Sequence, residues 1–224
     1  MSNKIAIFGT GNVGNVIGSK MIQLGYEVKM GSRTANNEKA TNWTKNNGAK
    51  AGNGTFEDVA KFADIIFNCT SGAGTMDALK MAGAENLKGK ILIDVANTLD
   101  FSKGMPPTLS ICNNDSLGET IQRAFPDLKV VKSLNSMNCN LMMNPSLVPG
   151  DHNVFVSGND DVAKLQVKKL LSSIGWKENN IIDLGDISTA RGTEQLLPIW
   201  LRLYGKMGHV NFNFNVVNGG SPKK

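Results

Sequence analysis

Short apolar runs alternate with amphipathic stretches along most of this 224-residue chain, and that alternation limits the folds open to it. The runs "KIAIFG" (4–9), "YEVKMG" (26–31), "DIIFNCT" (64–70), "KILIDVAN" (90–97) and "KVVKSLN" (129–135) read as strands, with "AKAG" (49–52) a shorter one. Helical patterns lie between them. Val13, Val16, Ile17, Met21 and Leu24 mark the apolar face of the first, and a polar helix over 36–48 is stopped by Gly48. "TFEDVAKFA" (55–63) opens on Thr55 with Asp58 three residues on, a capping box with the acid shortened by one carbon. Further helices are expected over 74–82 and 116–125. After Pro149 come a strand (153–158), a helix (160–175), a strand (180–186) and a last helix from about Gly192 to Tyr204, which Pro198 is expected to kink. This order predicts an α/β chain: a doubly wound, mostly parallel sheet with helices on both faces.

The stretch "NPSLVPGDHN" (144–153) is the best candidate boundary, but the strand after it can join the same sheet. One extended domain over residues 1–187 is therefore expected. A C-terminal helix and tail, 188–224, would serve as pocket cover or dimer contact.

The composition excludes several functions. The net charge of +5 is spread along the chain without a run of like charges, which argues against a nucleic-acid face. The pair Lys223-Lys224 reads as a polar end. Three widely spaced cysteines (Cys69, Cys112, Cys139) form no C-x-x-C, so reduced thiols, a cytoplasmic setting and no metal site are expected. The N-terminus runs straight into a strand pattern without a signal-peptide core, and no apolar run approaches the ~20 residues of a membrane helix.

The first strand–helix junction reads "AIFGTGNVGNVIG" (6–18) and places glycines at Gly9, Gly11 and Gly14. In so glycine-rich a chain roughly 0.3 chance matches to three fixed glycines are expected, so the spacing alone proves little. Its context adds the weight, because the match starts at the end of a strand and opens an amphipathic helix. Gly52-Asn53-Gly54 and Gly72-Ala73-Gly74 begin the same pattern and fail to complete it. Gly9 suits the tight turn, Gly11 a close approach of backbone to a pyrophosphate, and Gly14 close packing of helix on strand. Thr10, Asn12 and Val13 fill the loop and the first helical turn, whose free N–H groups and partial positive charge attract phosphate. These features point to an NAD(P)-binding Rossmann fold; the alternative is a glycine-rich turn that holds no ligand.

The residue that separates NAD from NADP belongs at the end of the second strand. There the chain reads Met30-Gly31-Ser32-Arg33-Thr34, with no carboxylate for the ribose hydroxyls; Glu27 lies too early in the strand. Ser32, Arg33 and Thr34 suit a 2′-phosphate, which a guanidinium grips with two charge-assisted bonds. Lys39 is a weaker second cation, and a surface arginine opening the next helix is the competing reading of Arg33.

"GTGNVG", "GSRT", "TSGAG" and "LGDISTARGTEQLLPIWLRLYG" together resemble the NADP oxidoreductase family that uses coenzyme F-420, a deazaflavin; related domains occur in membrane ferric reductases. The likeness covers nearly the whole chain, and the "LGD…ARGTE" segment is the part that points to this family. It implies that Thr10, Ser32 and Arg33 contact NADP, and that Thr70-Ser71, Ala96-Asn97 and Leu134-Asn135 lie near the nicotinamide. It also implies NADP(H) as cofactor and a deazaflavin or flavin as co-substrate. The stretch "CTSGAGTMD" (69–77) has small residues where the family often carries a proline and bulkier apolar side chains, which leaves the acceptor open.

The strand ends offer hydroxyls, amides and a thioether: Thr70, Ser71, Asn97, Asn135, Ser136, Met137 and Asn138. No acid or base stands out. His152 and His209 read as packing or surface residues, and Lys132 as a strand-edge lysine. Such a site suits hydride passage to a flavin-like, deazaflavin or other small-molecule acceptor, where the cofactors hold the chemistry. A carbonyl or imine reductase, with its proton from water or Tyr204, and a non-catalytic NADP(H) sensor are the alternatives. Asn97 and Asn135 are candidates to orient a carboxamide. Met137, Met142 and Met143 read as core filling, or else as a soft wall for a planar acceptor. The apolar "EQLLPIWLRLYGKMG" segment would cover the pocket or pair two subunits, so a homodimer is expected.

Overall fold

The computed structural model describes residues 3–220; the Lys223-Lys224 end lies outside them. The strands are β1 (Lys4–Phe8), β2 (Glu27–Ser32), β3 (Ala51–Thr55), β4 (Ile65–Asn68), β5 (Ile91–Asp94), β6 (Leu99–Asp100), β7 (Thr108–Leu109), β8 (Lys129–Ser133), β9 (Val154–Gly158) and β10 (Ile181–Gly185). The helices are α1 (Asn12–Gln23), α2 (Glu38–Asn47), α3 (Phe56–Phe62), α4 (Gly72–Ala82), α5 (Ala84–Leu87), α6 (Leu117–Ala124), α7 (Cys139–Met143), α8 (Asp161–Ile174), α9 (Ala190–Glu194) and α10 (Leu196–Met207).

Eight strands form one sheet in the order β10-β9-β8-β5-β4-β1-β2-β3, with β6 and β7 in a separate hairpin. All neighbours in the sheet run parallel except β8 and β9, because the segment through α7 returns the chain to the end of the sheet it has just left. The strand after the 144–153 turn thus joins the main sheet. From β1 the chain moves outward to β3, then returns to the other side of β1 as β4. The crevice at the C-terminal ends of β1 and β4 is the switch point at which this fold binds ligands.

The two-residue period of the strands sorts the core into two layers. Ile5, Ile7, Val28, Met30, Ile65, Phe67, Ile93 and Val131 face the layer with α1, α2, α7 and α8. Ala6, Phe8, Ile66, Leu92 and Val130 face the layer with α3, α4 and α6. Strands buried on both faces read as continuous apolar runs, which is why the sequence shows them so clearly. The Thr55–Asp58 capping box is present: Asp58 N donates to Thr55 Oγ1 (3.1 Å) and Thr55 N to Asp58 Oδ2 (2.9 Å). The Thr55 hydroxyl, donating to Asp58 Oδ2 (2.7 Å), and with it the Thr55 N–H, hold the Asp58 carboxyl below its usual range.

Two local expectations need correction. The "AKAG" strand lies later, running over Ala51–Thr55 against β2 despite its glycines, because pairing with Val28–Ser32 outweighs their low strand propensity. The last helix is not kinked at Pro198: it is two helices that meet at Gln195. Pro198 sits in the first turn of α10, where no intrahelical N–H bond is required. The hairpin β6–β7 and helices α5 and α7 are too short to show a period.

Candidate functional site

The turn after β1 is built on glycine for two separate reasons. Gly9 has φ +110°, and a Cβ there would lie 2.7 Å from the Cys69 carbonyl oxygen at the end of β4. A Cβ on Gly14 would lie 2.4 Å from the Gly9 oxygen, so the third glycine lets α1 press against the turn. Gly11 differs, since a Cβ there would meet nothing within 4 Å. It is the N-cap of α1, it has no capping side chain, and the first turn carries no acid. The N–H groups of Asn12, Val13 and Gly14 thus start a twelve-residue helix without side-chain acceptors, a charge pattern that suits a diphosphate.

A cleft of about 400 Å³ opens in front of this turn. Gly9, Thr10, Gly11, Ser32, Arg33, Thr70 and Ser71 line it, so the structure brings together residues from the ends of β1, β2 and β4. Ser32 is buried and donates to the Thr34 oxygen at 2.5 Å. Arg33 is exposed at the cleft and has no hydrogen bond or ion pair among the described residues. Thr34 and Lys39 are exposed and line neither this cleft nor its neighbour. Asn37, Phe56, Asp77 and Met81 also line the cleft. Sequence reasoning missed them because they come from three helices or their caps and carry no shared motif.

A second cavity of about 240 Å³ shares Cys69, Thr70 and Ser71 with the first. Val13, Ala96, Asn97, Leu99 and Phe101 belong to its wall. Asn135 lies behind that wall: its Nδ2 donates to Asn97 Oδ1 (3.0 Å) and the Thr193 oxygen (3.1 Å), while Asn97 Nδ2 donates to the Asn135 oxygen (2.9 Å). Asn12 is exposed and donates from Nδ2 to Cys139 Sγ at 3.3 Å.

Beneath both cavities runs a buried polar chain. Thr70 Oγ1 donates to Asn68 Oδ1 (2.7 Å), and Asn68 Nδ2 donates to Asp94 Oδ1 (2.7 Å). Lys132 Nζ donates to Asp94 Oδ2 (2.8 Å) and the Ala96 oxygen (2.5 Å), and pairs with Glu194 Oε1 (2.8 Å). Lys132 is therefore no strand-edge lysine. It lies on β8 between β5 and β9, and its side chain is 0% exposed. Burial pushes the Lys132 ammonium's pKa down, but Asp94 and Glu194 outweigh it and the net shift is upward. Glu194 also accepts from the N–H groups of Leu117 (2.9 Å) and Gly118 (3.2 Å), where α6 begins. Its neighbour Arg191 makes a two-pronged contact with Glu119 (2.8 and 2.5 Å) and holds that carboxyl below its usual range. The "ARGTE" segment is thus tied into the sheet. Asp94 and Glu194 are single carboxylates far apart in sequence, and only the fold pairs them with Lys132.

The remaining candidates lie elsewhere. Burial, with the Asp94 charge adding to it, pushes the Cys69 thiol well up; burial also raises Cys139. His152 packs edge-on against Trp176, with hydrogen bonds to the Pro145 oxygen and Asn213; His209 is exposed. Met137, Met142 and Met143 are core residues and line neither cavity. Tyr204 is stacked on Trp200 and also lines neither, and no residue from 188–220 contributes to either wall. Among the described residues no His/Cys/Asp/Glu group could hold a metal ion, and no helix is long and apolar enough to cross a membrane.

Comparisons with known proteins place the chain among NADP-dependent oxidoreductases. Residues 4–98 match the family model for NADP oxidoreductase, coenzyme F-420-dependent. A crystal structure of a candidate F-420-dependent NADP reductase from Arthrobacter sp. FB24 is 50% identical. It superposes with a TM-score of 0.91 over 96% of this chain and 99% of that one. Metalloreductase STEAP3 of Rattus norvegicus is 26% identical over 203 residues, 88% of this chain, but the chain spans only 38% of that protein's length. An imine reductase from Myxococcus stipitatus shares the fold alone, at 16% identity and a TM-score of 0.63 over 93% of this chain and 64% of that one.

Proposed function

The chain belongs to the coenzyme F-420-dependent NADP oxidoreductase family, and from that premise we propose that it passes a hydride between NADP(H) and a small conjugated acceptor, a deazaflavin or a flavin-like ring. The observation that carries the reading is Arg33. It is a guanidinium without a partner among the described residues, at the cleft just past buried Ser32, which ends a strand whose tip has no carboxylate. The turn at Gly9–Gly14 would hold the diphosphate on the N–H groups of α1, and Ser32 and Arg33 the 2′-phosphate. NADPH, when bound, supplies the hydride.

The acceptor half of the reading rests on the second cavity. Apart from the Cys69 thiol, which burial keeps protonated, it has no ionisable side chain in its wall. A carbonyl or imine substrate needs a placed proton donor, whereas a conjugated ring spreads the added charge and takes its proton from water. The C-terminal segment from residue 188 is assigned to a homodimer contact, since Ile199, Tyr204 and Met207 on α10 are exposed.

The test is a fluorescence titration with NADPH and NADH. Arg33→Ala is expected to weaken NADPH by about tenfold to a hundredfold, the range of a charge-assisted contact, and to leave NADH unchanged. Equal loss for both nucleotides refutes the 2′-phosphate role. NADPH oxidation against deazaflavin, flavins and quinones tests the acceptor, and tight binding without turnover on any of them refutes the enzyme assignment.

A further inference from the structure

The polar chain beneath the cleft fixes which way every proton in it points. Asp94 is a carboxylate paired with the Lys132 ammonium, so it can only accept. The amide nitrogen of Asn68, not its oxygen, must therefore face it, and the two protons of that nitrogen go to Asp94 Oδ1 (2.7 Å) and Thr75 Oγ1 (3.1 Å). Asn68 is 0% exposed, so its oxygen has only protein donors: the Thr70 hydroxyl (2.7 Å) and the Thr70 N–H (3.3 Å). The single proton of the Thr70 hydroxyl is thereby committed inward. Thr75 Oγ1 is the other inward neighbour, 2.9 Å from Thr70 Oγ1, and it has the Ser71 oxygen as an acceptor of its own (3.2 Å). Whichever hydroxyl donates in that pair, the Thr70 proton stays within the protein. What Thr70 shows to the two cavities it lines is a lone pair.

We propose that Thr70 is locked as a hydrogen-bond acceptor for an N–H or O–H of the nicotinamide half of the bound dinucleotide, and that it cannot act as proton donor to the hydride acceptor. This rests on the NADP(H) reading above. Two groups in that half of the ligand carry such protons, the carboxamide NH₂ and the ribose hydroxyls. The lock originates at Asp94 and Lys132, two residues that line neither cavity.

Thr70→Val removes the lone pair at almost constant volume, and Thr70→Ser restores it. Affinities of both variants and the wild type are measured for NADPH, for its 3-acetylpyridine analogue, which lacks the NH₂, and for adenosine 2′,5′-bisphosphate, which lacks the nicotinamide half. Thr70→Val is expected to weaken NADPH about three- to tenfold, the range of one neutral hydrogen bond, with Thr70→Ser within about twofold of wild type. Adenosine 2′,5′-bisphosphate should bind all three proteins alike. If the acetylpyridine analogue does not distinguish Thr70→Val from wild type, the donor is the carboxamide; if it weakens as NADPH does, the donor is a ribose hydroxyl. Unchanged NADPH affinity in Thr70→Val overturns the proposal, as does Thr70→Ser behaving like Thr70→Val. So does equal weakening of the bisphosphate, which would mark a general disturbance of the cleft. A wild type that binds no NADPH sinks the dinucleotide reading itself, and this proposal with it.

Discussion

Lys132→Met puts a number on the buried ion cluster. The substitution keeps most of the stem volume and removes the one cation between Asp94 and Glu194, whose side chains are 0% and 2% exposed. Breaking a buried pair from one side costs about 3–5 kcal/mol. The lower end applies here, because both carboxylates keep other donors. Asp94 still accepts from Asn68 and the Ala96 N–H, and Glu194 from two N–H groups at the positive end of α6. A loss of about 3 kcal/mol lowers the Tm by about 6–12 °C in a chain of this size. The loss also depends on pH. An unpaired buried carboxylate takes up a proton more readily than in the unfolded chain, so above about pH 4 the native variant binds more protons than its unfolded state. Its stability therefore falls as pH rises, and its deficit against wild type shrinks toward acid. Urea denaturation at pH 5 and pH 8 measures both effects. Adding Glu194→Gln should recover part of the loss, since it removes one of the two stranded charges. A deficit under about 1 kcal/mol, or one that does not change with pH, refutes the assignment of Lys132 as the charge that holds this cluster together.

Gly14→Ala forces a Cβ to within 2.4 Å of the Gly9 oxygen and 3.1 Å of Ile7 Cγ2, so α1 must shift off the sheet. It should cost about 1–3 kcal/mol in thermal melts and weaken NADPH more than tenfold, and a variant that binds NADPH normally counts against the phosphate turn. Hydrogen bonds from Arg191 depress the Glu119 carboxyl below its ordinary value of 4.5, so its contribution is present above that pH and is lost as pH falls through the folded value. Glu119→Gln should cost about 1–2 kcal/mol at pH 7 and flatten the acid limb of the stability profile, and an unchanged acid limb refutes the pairing.

The fold was legible because its determinants are local. Strands buried on both faces appear as unbroken apolar runs, the turn after β1 announces itself by glycine spacing, and Thr55 with Asp58 marks a helix start by two residues alone. The cleft was legible where it is made of consecutive residues, Gly9–Gly11 and Ser32–Arg33, since contiguity along the chain guarantees contiguity in space. It was not legible where it is made of scattered residues from separate helices and their caps, such as Asn37, Phe56 and Asp77. Phe101 was hidden in the same way, in the loop after β6, a two-residue strand too short to show a period.

Lys132 is the clearest case of a residue whose meaning lies outside its neighbourhood. In "KVVKSLN" it resembles any lysine near a strand end, and the sequence could determine only that the strand exists. Sheet order decides the rest: β8 lies between β5 and β9, which buries the ammonium, brings Asp94 from the adjacent strand beside it, and lets α9 deliver Glu194 from 62 residues further along. A charge is stable there only with partners, and partners at that separation are assembled by tertiary packing, since no local rule in the chain encodes them.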